Sequence, residues 1–277
     1  MRRRSKLFST PQVHIVPKGG RARRALVLSL GAFLCVCLAA LLWPRGEGQK
    51  NPKQGEANAY RQDGSSSAST AVGGEEGFAP LLPLRDAQRA RYFKDAVFVG
   101  DGLTAQLAGA GAFGGNGTFL SSERLNPTLL QSGRLFSSGG TEDATALAAI
   151  KAADPGKIYL LVGANGVSWL SAEDMVKSLG DFVDRLRQQH PKATIVLSTL
   201  PYFDAATQGD HPNYQNTKVE EYNRQLSALC AEKEVYLLDS AQVLSGAYAV
   251  GLRDGSLTLA DGAADAWADY IFTHTAG

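Results

Sequence analysis

The sequence predicts a three-layer α/β/α sandwich around a parallel β-sheet over residues 78–277, preceded by one transmembrane helix. Two observations predict the sandwich. Four short apolar runs, 96–99 (AVFV), 158–162 (IYLLV), 194–197 (TIVL) and 235–238 (VYLL), lack polar alternation, as strands buried on both faces do. Helical patterns at 142–152, 172–189 and 218–233 fall between or beside them, with a last one at 263–272. Strands alternating with helices imply right-handed crossovers and a parallel sheet. A weaker strand is expected at 118–120.

The third observation is that charge is not mixed along the chain. The 277 residues hold 28 Lys and Arg against 27 Asp and Glu. Eight of the basic residues, Arg2, Arg3, Arg4, Lys6, Lys18, Arg21, Arg23 and Arg24, fall within 1–24, which has no acidic residue. Without them 20 basic side chains face 27 acidic ones. That balance argues against a nucleic-acid-binding main domain, which needs a basic face.

Residues 25–43, ALVLSLGAFLCVCLAALLW, carry no charge. As a helix this run spans roughly 28 Å, close to the hydrocarbon thickness of a bilayer. The basic flank predicts a cytoplasmic tail at 1–24 and an extracytoplasmic remainder, in a cell membrane crossed once. A cleaved signal peptide is the alternative. Against it stand the long tail, an apolar run longer than the usual signal core and the lack of a small-x-small cleavage site.

Cys35 and Cys37 lie inside this run, which leaves Cys230 alone in the outer region, so no intramolecular disulfide and no cysteine-built metal site is expected there. Residues 44–77 are rich in Gly, Ser, Gln, Asn and Glu with almost no large apolar residue, the composition of a disordered linker. Such a chain reaches about 30–35 Å.

In an open α/β sheet function gathers at the carboxyl ends of the strands. The first such loop reads VFVGDGLT (97–104), which puts Gly102 at a helix N-terminus, where backbone N–H groups favour negative charge. The second reads YLLVGANGVSWL (159–170), with Gly163 for a tight turn and Asn165 as an amide donor. LSTLPYF (197–203) and VEEYNRQLSALC (219–230) follow, and the chain closes with DGSLTLADGAADAWADYIFTHT (254–275).

In this order and spacing, these segments resemble the SGNH/GDSL hydrolase family over essentially all of 78–277, a resemblance that implies a flavodoxin-like topology for the sandwich. The resemblance rests on a Gly-Asp-x-Leu block, a Gly-x-Asn block at Gly163, Ala164 and Asn165, a Leu-Pro segment, an Asn on the next helix, and a last helix with Trp267 and Tyr270. It implies an ester hydrolase whose block-one Ser attacks, whose block-five His takes the proton and whose Asp orients that His. Oxyanion donors would come from the Ser N–H, a block-two Gly and the block-three Asn.

The departures bear directly on activity. Gly102 stands where the Ser belongs, and Thr258 or a neighbour stands where the His after Asp254 belongs. His14 falls in the cytoplasmic tail, His190 ends a helix, His211 lies in a long loop and His274 lies near the end. Arg124 is the reading for the block-two Gly. Losing the nucleophile or the base costs a serine hydrolase on the order of 10⁶ in kcat.

The vestigial site positions are therefore Asp101, Gly102, Gly163, Asn165, Asp254 and Thr258, with no cofactor or metal expected. Each has a structural alternative: Asp101 as a helix cap, Asn165 as an Asx tie of its own loop, Asp254 and Asp261 as turn residues. Trp169 and Trp267 are read as packing residues. The expectation is a membrane-anchored, catalytically impaired esterase homologue that binds a cell-envelope glycan or envelope protein. The competing expectation is an active carbohydrate O-acyl esterase or acetyltransferase with atypical catalytic residues.

Overall fold

A computed structural model describes residues 78–138 and 141–277. The basic tail, the transmembrane helix and the linker expected from the sequence all lie outside the described residues. No helix among the described residues is long and apolar enough to cross a membrane.

The core is a five-stranded sheet. Strand β1 (Ala96–Gly100) leads into α1 (Gly102–Gly109), and β2 (Thr118–Ser121) follows at the sheet edge. A hairpin of β3 (Phe136–Ser138) and β4 (Thr141–Ala144) precedes α2 (Ala146–Ala153). Then come β5 (Lys157–Leu161), α3 (Ala172–Gln189), β6 (Thr194–Ser198), α4 (Ala205–Asp210), α5 (Asn216–Glu232) and β7 (Tyr236–Leu238). A second hairpin, β8 (Gly251–Arg253) and β9 (Ser256–Thr258), leads to the last helix, α6 (Ala263–Thr273).

The sheet order is β2-β1-β5-β6-β7, with every pair parallel. Counted as sheet strands this is 2-1-3-4-5, a doubly wound order whose switch point lies between β1 and β5. Right-handed crossovers put helices on opposite faces when the direction of travel reverses, so α1 lies opposite α2, α3 and α5. Contacts agree: α1 packs on α6, and α3 on α5.

The apolar runs form strands because both faces are covered: every residue of β1 is buried, as are four of five in β5 and in β6. Phe98 at the sheet centre stacks between Phe119 and Tyr159, with ring centroids 4.6 Å from each. Helix boundaries follow their caps. Ser171 accepts from Asp174 N–H at 3.0 Å to open α3, and Thr145 opens α2 by accepting from Ala148 N–H. The helix expected from residue 142 thus starts four residues later, because 141–144 pair as a strand instead.

Candidate functional site

Asp101, Gly102, Gly163 and Asn165 come together at the carboxyl ends of β1 and β5, the switch point of the sheet. Asp101 is buried and caps α1, its Oδ1 accepting from Leu103 N–H at 3.1 Å. Its Oδ2 is buried with no hydrogen-bond partner among the described residues. Burial raises its pKa to about 7, and the Glu123 carboxylate pushes the same way. The backbone N–H groups of Leu103 and Asn165 pull it back only in part.

Gly102 is the first residue of α1 and is buried. A Cβ added there would meet the Glu123 side chain, at 2.5 Å from Oε2, 2.6 Å from Oε1 and 2.7 Å from Cδ. The space a side chain at 102 would fill is thus held by a carboxylate from the loop after β2. Among the described residues, none donates a hydrogen bond to that carboxylate.

Asn165 faces the same loop and binds it. Its Nδ2 donates to the Glu123 carbonyl at 2.7 Å and to the Leu125 carbonyl at 3.3 Å. Both N–H groups of the amide are spent on backbone, so Asn165 works as a strut between β5 and the β2 loop. Its own-loop Asx reading is replaced by this longer tie. Gly163, with φ 142°, sits in a region open almost only to glycine, and a Cβ there would press within 2.9 Å of Leu200 and 3.2 Å of the Tyr222 hydroxyl. Asn223 clamps the next loop similarly, accepting from Leu200 N–H at 2.7 Å and donating to its carbonyl at 3.0 Å.

The closing segment is only half joined to this cluster. Gln106 of α1 donates to the Leu257 carbonyl at 2.9 Å and accepts from Leu259 N–H at 2.9 Å, which fastens β9 beside α1. Thr258 is half-buried on that strand, with its hydroxyl donating to the Ser256 carbonyl. Leu257, three residues after Asp254, is buried in the core. Asp254 lies at the exposed hairpin tip, where Asp254 (φ 49°) and Gly255 (φ 81°) make the turn. Its turn role explains the Asp-Gly pair.

The described histidines are held elsewhere. His190 follows the C-terminus of α3, and His274 stacks on Tyr270 at 3.8 Å and bonds through Nδ1 to the Tyr270 carbonyl. His211 follows α4 and sits edge-on to Tyr214. Ser198 bonds to Ser240 at 2.7 Å, and Thr104 reaches the Leu161 carbonyl at 3.4 Å, so neither hydroxyl is poised as a nucleophile. Trp267 is buried and donates to Ser240 Oγ at 2.8 Å, whereas Trp169 is 65% exposed and so is no packing residue. No group of three or more metal-ligating side chains gathers among the described residues.

The family model of the GDSL-like lipase/acylhydrolase family matches residues 76–274. The chain belongs to this family. Solved structures similar to this chain include a GDSL-like lipase from Bacteroides thetaiotaomicron, at 14% identity and TM-score 0.47, covering 66% of this chain and 87% of that one. A lipase/acylhydrolase from Enterococcus faecalis matches at 14% identity and TM-score 0.45, covering 64% and 93%. A carbohydrate esterase family 3 protein from Talaromyces cellulolyticus matches at 11% identity and TM-score 0.45, also covering 64% and 93%. A search of curated protein sequences returns no match.

Within the GDSL-like framework, Glu123 is the site residue that sequence reasoning missed. The signal was present in SSER, an acid directly after an edge strand, but nothing local says that its side chain folds back over Gly102. Arg124, read as the block-two position, is an exposed neighbour on the same loop.

Proposed function

We propose that this GDSL-family domain no longer hydrolyses esters and instead binds a cell-envelope glycan or an envelope protein, held outside the membrane by the helix at 25–43. The observation that supports this reading most is the Glu123 carboxylate over Gly102. The volume that a nucleophile would use is taken by a charged group, and the amide that would polarise a substrate carbonyl is spent on the Glu123 and Leu125 carbonyls. Oxyanion stabilisation requires donors aimed at the developing charge. A carboxylate at that place opposes such charge instead.

The alternative, an O-acyl esterase or acetyltransferase of atypical design, is favoured by one feature: the same carboxylate could take a proton from water. Incubation of the full-length protein with acetylated xylan and acetylated wall glycan separates the two. The binding reading expects retention of the glycan or of an envelope protein with no acetate released. Acetate release that Glu123→Ala abolishes would favour the enzyme.

A further inference from the structure

A groove of about 560 Å³ opens beside the carboxyl ends of β6 and β7. Neighbouring strands lie about 4.8 Å apart, so β7, three strands from β1, sets this groove roughly 14 Å from Gly102. Seven of its ten described lining residues carry polar side chains, set in a lining whose exposed surface is more apolar than polar, so hydrogen-bonding groups and an apolar face are offered together. None of the ten is Lys or Arg and one is Asp239, which disfavours phosphate or carboxylate ligands.

The polar atoms are arranged in two sets. Asp239 is held rigidly: its Oδ1 accepts from the Thr199 hydroxyl at 2.9 Å and its Oδ2 from Gln242 Nε2 at 3.1 Å. Thr199 in turn accepts from Ala241 N–H at 2.9 Å. The second set is uncommitted among the described residues: the Tyr202 hydroxyl, the Ser227 hydroxyl and Gln242 Oε1. Ser227 lies one helical turn beyond Asn223 on α5, so both share one face. A fixed carboxylate, free hydroxyls and one free amide oxygen, with the apolar Tyr202 ring and Leu237, match a ligand with many hydroxyls and an apolar face.

We propose that this groove binds a neutral, hydroxyl-rich ligand of oligosaccharide type, independently of the Gly102 cleft. The proposal rests on the binding reading above in taking the ligand to be retained. The test is calorimetric titration of the full-length protein with neutral tetrasaccharides of glucose, xylose and N-acetylglucosamine, with hydrogen exchange locating the protected segments. Saturable binding of at least one is expected, with protection in 199–203 and 239–245. Ser227→Phe fills the groove from a helix position with no hydrogen bond to lose, and weakens binding by about tenfold or more. Gln242→Ala, on an exposed residue, weakens it by about threefold, and Glu123→Ala leaves it unchanged.

No binding of any of the three up to about 10 mM overturns the proposal, as does binding indifferent to Ser227→Phe. Binding lost in Glu123→Ala but kept in Ser227→Phe overturns the groove while leaving the binding reading intact. Groove binding accompanied by deacetylation of an acetylated tetrasaccharide supports the groove and overturns the binding reading.

Discussion

Gly102 and Glu123 occupy one space between them: the carboxylate of Glu123 fits only because residue 102 has no Cβ, which would fall 2.5 Å from Oε2. Glu123 is an exposed, flexible side chain, so a larger residue at 102 displaces it rather than breaking the fold. Gly102→Ser is expected to cost about 1 kcal/mol or less in denaturant unfolding, and adding Glu123→Ala is expected to remove that cost. A cost unchanged in the double variant contradicts the shared space.

Gly102→Ser alone is expected to stay inert toward aryl acetates, since the described histidines, His190, His211 and His274, are all held elsewhere. Gly102→Ser with Thr258→His and Glu123→Ala tests whether a working pair is recoverable, because Gln106 already fastens β9 to α1. Measurable turnover is expected only in the combined variant.

The buried Asp101 makes stability depend on pH. Its folded pKa, about 7, lies above the unfolded value of 3.8, so between about pH 4 and 7 the folded state holds a proton that the unfolded state has lost. Stability from this group therefore falls as pH rises, by up to about 1.4 kcal/mol per pH unit, and levels off above pH 7. Asp101→Asn keeps the cap and removes the titration. The unfolding free energy of the wild type relative to this variant is expected to decline from pH 4 to 7, as read by urea titrations. A flat difference contradicts the burial of an unpaired Oδ2.

Asn165→Ala removes two hydrogen bonds to the β2 loop, one exposed and one half-buried, and is expected to cost about 1–2 kcal/mol in stability. Asn165→Asp should not rescue it, since a carboxylate cannot donate to the Glu123 and Leu125 carbonyls.

Cys230 is fully buried, and burial pushes its thiol up to about 12. The native protein is expected to leave this thiol unreacted with a disulfide reagent at pH 8, and urea-unfolded protein to expose it.

The parallel sheet was legible in the sequence because its strands are buried on both faces, and that leaves a continuous apolar run at 96–99 or 194–197. The clustering of Asp101, Gly102, Gly163 and Asn165 was legible for a related reason, since strand ends of a parallel sheet converge at one edge. The two hairpins were not. β3–β4 and β8–β9 are short and lie outside the main sheet, so Thr141–Ala144 merges into the helical pattern that follows it. Asp254-Gly255 could be read as a turn, but only the positive φ of both residues shows that it tips a hairpin rather than orienting a base. The return of Glu123 over Gly102 was hidden because a side chain's direction on a loop leaves no periodic trace.

The account's central claim, that the carboxylate over Gly102 accompanies a site without ester hydrolysis, is tested most directly by 4-nitrophenyl acetate turnover of the full-length protein. The predicted rate equals the buffer background and is the same in Glu123→Ala. Saturable turnover well above background that Glu123→Ala abolishes would contradict it.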